Sequence, residues 1–196
     1  MRVTAYDVLE RTGFRTIARR LYGVRISGAE RIPASGPAIL VANHESMFDP
    51  WILSLATPRE VRYMAKAELW RFRPIAWVLD SFGAFPVERG AGDATAMSRA
   101  ARLLAEGQLL GMFPQGTSKR LPKRPYHRGA ARLALVTGAP IVPVCMIGTR
   151  GFPHPGRPPA SVLVGDPIDV DSTKPTVAAT KALTLRVEQA IAQLAG

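Results

Sequence analysis

Short apolar runs alternate with amphipathic helical patterns along this chain, and that alternation predicts an α/β fold: a single domain with a mostly parallel central sheet flanked by helices. Two further observations narrow it. The chain has 196 residues, enough for one well-buried domain and short for two, and 47% of them are hydrophobic. Turn residues break up the runs, and no internal repeat or low-complexity tract interrupts them.

The elements follow in order. Residues 5–22 place Phe14, Ile17, Ala18 and Leu21 at helical spacing, with Arg11, Arg15 and Arg19 projecting elsewhere. This segment, 1–22, reads as an amphipathic helix that either docks on the domain or lies in a lipid headgroup layer, ahead of a domain over 23–196. Pro37-Ala38-Ile39-Leu40-Val41-Ala42 reads as a buried strand, followed by a helix over about 47–56. Further strands are expected at 61–65, 83–87, 109–113 and 141–147, with 161–164 as an edge strand. Helices are expected over 94–106, capped by Asp93 and ended by Gly107, over 128–137, closed by Gly138, and over 175–194. Strands alternating with helices imply right-handed crossovers, and chemistry in such sheets gathers at the carboxyl ends of the strands.

Composition bounds the function. The formal charge of +11 fits nucleic acid, anionic lipid or phosphorylated small molecules and does not choose among them. The single cysteine, Cys145, lies in an apolar run and reads as a buried strand thiol, which suits a reducing compartment. The first residues lack an apolar core of signal-peptide length, and no stretch of about 18 apolar residues reads as a membrane span. A protein that is cytosolic or attached to the membrane surface is the expectation.

The most informative stretch is Asn43-His44-Glu45-Ser46-Met47-Phe48-Asp49. It puts His44 at a strand-to-helix turn and Asp49 five positions later, in the first helical turn. A carboxylate there can fix the tautomer of an imidazole that faces a ligand, which is the histidine–aspartate half of a hydrolytic triad without its serine. The chemistry implied is a general base acting on a substrate hydroxyl. Ser46-Met47-Phe48-Asp49 also matches a capping box, with Asp49 reaching back to the Ser46 amide. A zinc site is disfavoured, because His-Glu-x-x-His lacks its second histidine here.

A second strand end, Met112-Phe113-Pro114-Gln115-Gly116-Thr117, turns sharply through proline and glycine. Gly116 permits close approach of a ligand, and Gln115 and Thr117 offer neutral hydrogen bonds. The basic run that follows, including Lys119 and Arg120, suits phosphate oxygens. Lys66-Ala67-Glu68-Leu69 precedes a stretch holding Trp70, Phe72, Trp77, Phe82 and Phe85 among Arg71 and Arg73. Core packing accounts for these rings, and so does an acyl-chain tunnel or a lipid-facing patch.

Taken together and in this order, the motifs resemble the lysophosphatidic acid acyltransferase family, the PlsC-like phospholipid/glycerol acyltransferases. The 43–49 stretch resembles its Asn-His-x-Ser-x-x-Asp block, and Lys66-Ala67-Glu68-Leu69 with Gly83-Ala84-Phe85-Pro86-Val87-Glu88-Arg89 its second. Phe113-Pro114-Gln115-Gly116-Thr117 is similar to its Phe-Pro-Glu-Gly-Thr-Arg block, His127-Arg128-Gly129-Ala130 to the Arg-Gly-Ala step, and Ile141-Val142-Pro143-Val144 to its last apolar block. The matches run from about residue 24 to 150.

The resemblance implies transfer of an acyl group from acyl-CoA or acyl carrier protein, as cosubstrate and without a further cofactor, to a hydroxyl of 1-acyl-glycerol 3-phosphate. His44 and Asp49 would be catalytic. Asn43, Ser46, Lys66, Arg89, Gln115, Gly116, Thr117, Lys119 and Arg120 would bind substrate, Lys66 and Arg89 through its phosphate. The implied partners are the acyl donor, a lyso-lipid acceptor and a membrane surface, not nucleic acid. Gln115 replaces the family's glutamate and Ser118 stands where its arginine would be. Those two departures leave open another acceptor, such as a glycolipid or a secondary-metabolite hydroxyl. A catalytically silent lipid- or nucleic-acid-binding module is the reading from a different class.

Overall fold

The computed structural model describes residues 13–87, 94–116, 125–151 and 159–196. Among these, seven strands form one sheet: β1 (Arg25–Ser27), β2 (Ala38–Ala42), β3 (Val61–Lys66), β4 (Ala84–Val87), β5 (Leu109–Met112), β6 (Ile141–Ile147) and β7 (Ser161–Val164), in the order β1-β7-β6-β2-β5-β3-β4. All neighbours are parallel except β6 and β7. The outer pair β1 and β7 therefore runs against the other five.

Every residue of the central strand β2 is buried, as expected of a strand covered on both faces. Its side chains alternate. Ala38, Leu40 and Ala42 enter one core with Ile52, Leu53 and Leu55, whereas Ile39 and Val41 enter a second core with Ala100, Leu104, Leu133 and Ala134. The first core is covered by α1 (Phe14–Leu21) and α2 (Asp49–Ser54), with α3 (Arg73–Ser81) on the same crossover side. The second is covered by α4 (Ala94–Ala105), α5 (Gly129–Thr137) and α6 (Val177–Leu194).

This division between faces positions the site. After β2 the chain crosses toward β3, and after β5 it crosses back to β6 on the other side of β2. Right-handed crossovers in opposite directions put α2 and α5 on opposite faces. The carboxyl ends of the adjacent strands β2 and β5 thus flank a crevice at a topological switch point.

Most expected elements form within a residue or two of their predicted bounds, and Gly107 and Gly138 end α4 and α5. The Asp93 cap and residues 1–12 of the amino-terminal segment lie outside the described residues. Two expectations need correction, and β1 and α3 are elements beyond those expected. The helix after β2 is shorter than 47–56, because Asp49 spends its carboxylate on the preceding turn. β7 is not an edge strand, since β1 pairs outside it with Arg25 opposite Ser161. β1 carries no apolar run, and only its backbone pairing defines it. Helix α3 falls within the aromatic stretch.

Gly111 in β5 has a packing reason. A Cβ there would come within 2.3 Å of the Tyr63 ring, and Tyr63 donates its hydroxyl to the Pro50 carbonyl at 2.8 Å at the start of α2. Gly111→Ala is expected to lower stability by roughly 1–3 kcal/mol through overpacking, measured as a drop in the urea midpoint at unchanged slope.

Candidate active site

Two residues beyond β2 the chain forms a tight turn around one oxygen atom. Asp49 is fully buried, and its Oδ2 accepts hydrogen bonds from the backbone amides of Glu45 (2.6 Å) and Ser46 (2.8 Å). His44 Nδ1 lies 2.9 Å from the same oxygen. Sequence reasoning assigned the capping and histidine contacts to the same carboxylate, and a single oxygen serves both. Asp49 Oδ1 is buried without a hydrogen-bond partner among the described residues.

The imidazole is held on two sides, and its backbone by a third contact. Asp49 holds Nδ1, and the Phe113 ring stacks on the His44 ring with centroids 4.5 Å apart and planes at 28°. Gln115 Oε1 accepts the His44 backbone amide. Behind Phe113, Tyr63 stacks at 6.2 Å, so the ring rests on a column rooted in β3. Its side chain keeps 18% exposure, and Nε2 has no hydrogen-bond partner among the described residues. With Nδ1 turned to a carboxylate, Nε2 is the nitrogen left to accept a proton from a ligand.

Seven of the remaining sequence-nominated residues divide into three groups. Gln115 and Gly116 sit across the crevice at the end of β5, and a Cβ at Gly116, whose φ is 69°, would come within 3.3 Å of His127 Nε2. Lys66 is exposed at the carboxyl end of β3, two strand spacings from β2 and so about 10 Å away laterally. Arg89, Thr117, Lys119 and Arg120 lie outside the described residues.

The Asn43 and Ser46 side chains are engaged with backbone groups. The Asn43 amide pairs in both directions with the backbone of Met146 in β6, donating at 2.8 Å and accepting at 2.6 Å. It clasps the end of β2 to the end of β6. Ser46 is buried, and its Oγ accepts from the Phe48 amide at 3.2 Å. Both side chains satisfy backbone groups where strand pairing stops.

Sequence reasoning missed the roles of Phe113, Tyr63 and Glu45. Phe113 stood inside a recognised motif, but its stacking on His44 spans distant parts of the chain and has no local signal. Burial pushes the Glu45 carboxyl above its ordinary value, and the neighbouring Asp49 charge adds to this. Arg150 and the Thr149 and Gly148 amides act in the opposite direction. Burial likewise raises the Cys145 thiol, which keeps it protonated and a poor nucleophile.

A histidine–aspartate pair thus stands at the carboxyl edge of the sheet beside a glycine turn. The family model described as Acyltransferase matches residues 23–147, and the chain belongs to that family. It is 29% identical over 175 residues to the 1-acyl-sn-glycerol-3-phosphate acyltransferase of Bacillus subtilis, covering 85% of this chain and 87% of that one. It is 33% identical over 139 residues to the enzyme of the same name from Borreliella burgdorferi, covering 67% of this chain and 55% of that one. The fold matches the crystal structure of the 1-acyl-sn-glycerophosphate acyltransferase PlsC from Thermotoga maritima with a TM-score of 0.71 and 25% identity. That match covers 96% of this chain and 78% of the other. The resemblance read from the motifs therefore holds: this is a PlsC-like acyltransferase.

Two predictions come from this geometry. Asn43→Ala leaves the Met146 amide and carbonyl unpaired at a buried strand end. It is expected to cost about 1–3 kcal/mol of stability in urea unfolding. For Glu45, a folded-state pKa raised above the unfolded one means that its favourable contribution is complete below about pH 4.5 and fades as pH rises through the folded value. Glu45→Gln removes that dependence. The melting temperature of the variant relative to wild type is expected to climb from pH 4.5 toward neutrality and then level off, as read by thermal unfolding.

Proposed function

We propose that the protein transfers a fatty acyl group from acyl-CoA or acyl carrier protein to the free hydroxyl of 1-acyl-glycerol 3-phosphate, with His44 as general base. The observation that carries this reading is the 2.9 Å contact between His44 Nδ1 and the buried Asp49 carboxylate, placed beside the Gln115–Gly116 turn.

The acceptor hydroxyl attacks the thioester carbonyl while His44 Nε2 takes its proton. Asp49 holds the ring and offsets the positive charge that develops on it. The tetrahedral intermediate then collapses, the carbon–sulfur bond breaks, and the imidazolium returns the proton to the leaving thiolate. The acceptor supplies the nucleophile and the thioester is already activated, so no acyl-enzyme is needed. Lys66, with Arg89, Lys119 and Arg120, provides the positive charge for the acceptor's phosphate. The donor is a cosubstrate, and the reaction takes place with the protein peripheral on the cytoplasmic face of the cell membrane.

Gln115 supports a second acceptor as the alternative. Its Oε1 is occupied by the His44 amide, which a glutamate would also satisfy. The group that differs is the Nε2 donor, which replaces a carboxylate oxygen at the crevice. Such a change alters the choice of acceptor hydroxyl without touching the proton transfer. Incubating the protein with mixed acyl-CoAs and a panel of lyso-lipids and glycolipids, with mass spectrometry of the products, separates the two readings.

His44→Ala is expected to lower turnover by about 10²–10⁴-fold, and Asp49→Asn to lower it less. Both are measured as thiol release from acyl-CoA on variants with wild-type circular dichroism. Undiminished turnover in His44→Ala would refute the mechanism.

A further inference from the structure

Helix α3 has the sequence Arg-Pro-Ile-Ala-Trp-Val-Leu-Asp-Ser, apolar through its middle, yet none of its residues is buried. Ile75, Ala76 and Leu79 are half-buried, and the rest of its apolar surface is exposed. Trp77 on this helix is 70% exposed and Phe72, at its start, 61%. The exposure is not scattered. The 3₁₀ turn Ala67–Arg71 that leads into α3 starts at the carboxyl end of β3, on the same sheet edge as His44, and Leu69 in it is exposed.

Two other exposed apolar side chains meet that edge. Met47, 74% exposed, lies in the turn between His44 and Asp49. Leu21, 73% exposed, is there because β1 runs opposite to β2. The chain entering β1 thus arrives at the carboxyl edge, where Tyr22 packs edge-on against Trp51 at 5.5 Å. Leu21, Met47 and the start of the Ala67–Arg71 turn thus share the carboxyl edge of the sheet, Leu21 on the β1 side and the turn beside β3.

The charge of this edge selects its occupant. Lys66, Arg71 and Arg73 are exposed around Phe72, and Arg20 beside Leu21. Of the acids on these two segments, Glu68 is exposed, and Asp80 accepts the Trp70 indole N–H at 2.9 Å at the far end of α3. A second copy of the chain would set cations against cations. An anionic bilayer offers phosphates to the arginines and an acyl boundary to the rings, the environment that tryptophan beside arginine favours. Among the described residues no helix is long and apolar enough to cross a membrane, so contact through these residues is with the surface.

We propose that the Ala67–Arg71 turn and α3, with Leu21 and Met47, form the face on which the protein lies on an anionic lipid bilayer. Phe72 and Trp77 enter the acyl boundary, Arg71 and Arg73 engage headgroup phosphates, and the crevice opens toward the leaflet. This names the membrane contact that the proposed function requires and rests on that reading for its purpose, while its test does not depend on activity.

The experiment is flotation of the full chain with vesicles of phosphatidylcholine alone or mixed equally with phosphatidylglycerol. Wild type is expected to float with the anionic vesicles. Phe72→Glu/Trp77→Glu should weaken that partitioning by about a hundredfold or more, given two aromatic side chains withdrawn from the apolar layer. Arg71→Ala/Arg73→Ala should weaken it by roughly thirtyfold on anionic vesicles and leave phosphatidylcholine unaffected. Val136→Glu, exposed on α5 over the opposite face, should float as wild type. Quenching by brominated lipids in wild type, reduced in Trp77→Phe, reads the same contact without a disruptive substitution. The proposal is overturned by wild type that does not float, by a glutamate pair that floats normally, or by a lipid-free dimer that the glutamate pair dissociates. Turnover of a water-soluble short-chain 1-acyl-glycerol 3-phosphate separates the two readings. Its survival in the non-floating variant supports both, and its absence from wild type removes the enzymatic reading while flotation still decides the surface.

Discussion

A single carboxylate oxygen, Asp49 Oδ2, organises the turn that follows β2. Three groups converge on it, the Glu45 and Ser46 amides and the His44 ring nitrogen, in surroundings from which water is excluded. A buried charge is tolerable only where hydrogen bonds replace its hydration. The two amides supply that replacement, and they also fix the backbone that carries the imidazole. The imidazole and the carboxylate that holds it therefore cannot shift independently. The shortness of α2 has the same cause, since the residue that opens the helix is engaged with the loop before it.

The rest of the fold serves to bring a second strand end to that turn. Opposite crossovers after β2 and β5 open the crevice. Gln115 then ties the two sides together through the His44 amide, and Asn43 anchors the β2 end to Met146 in β6. The stacked rings of Phe113 and Tyr63 form the floor. Tyr63 in turn hydrogen-bonds the first turn of α2, and Gly111 makes room for it. Packing in the sheet is thus continuous with the geometry of the site.

Glu45 illustrates how tightly the charges are spaced. Its carboxyl is pushed up by burial first and by Asp49 second, against the pull of Arg150. Two acids four residues apart in one turn are tolerable because one is paired to amides and the other retains partial access to solvent. On the same edge, basic and aromatic groups are exposed rather than buried, which suits a protein whose substrates are expected to reside in a lipid leaflet.

The α/β class, the order of the main strands and helices, and the pairing of His44 with Asp49 were all legible in the sequence. Each depends on local periodicity or on spacing within one turn, where neighbours in the chain are neighbours in space. Cys145 was legible in the same way, as a thiol within an apolar strand. The tertiary structure alone decided the rest. β1 exists through its pairing with β7, the Asn43 amide is satisfied by a strand 103 positions away, and the His44 ring rests on Phe113. It also divided the aromatic stretch, burying Phe85 in the core while leaving Phe72 and Trp77 exposed. Those outcomes depend on contacts between segments distant in sequence, and hydropathy reports only that a side chain prefers to leave water, not which surface will receive it.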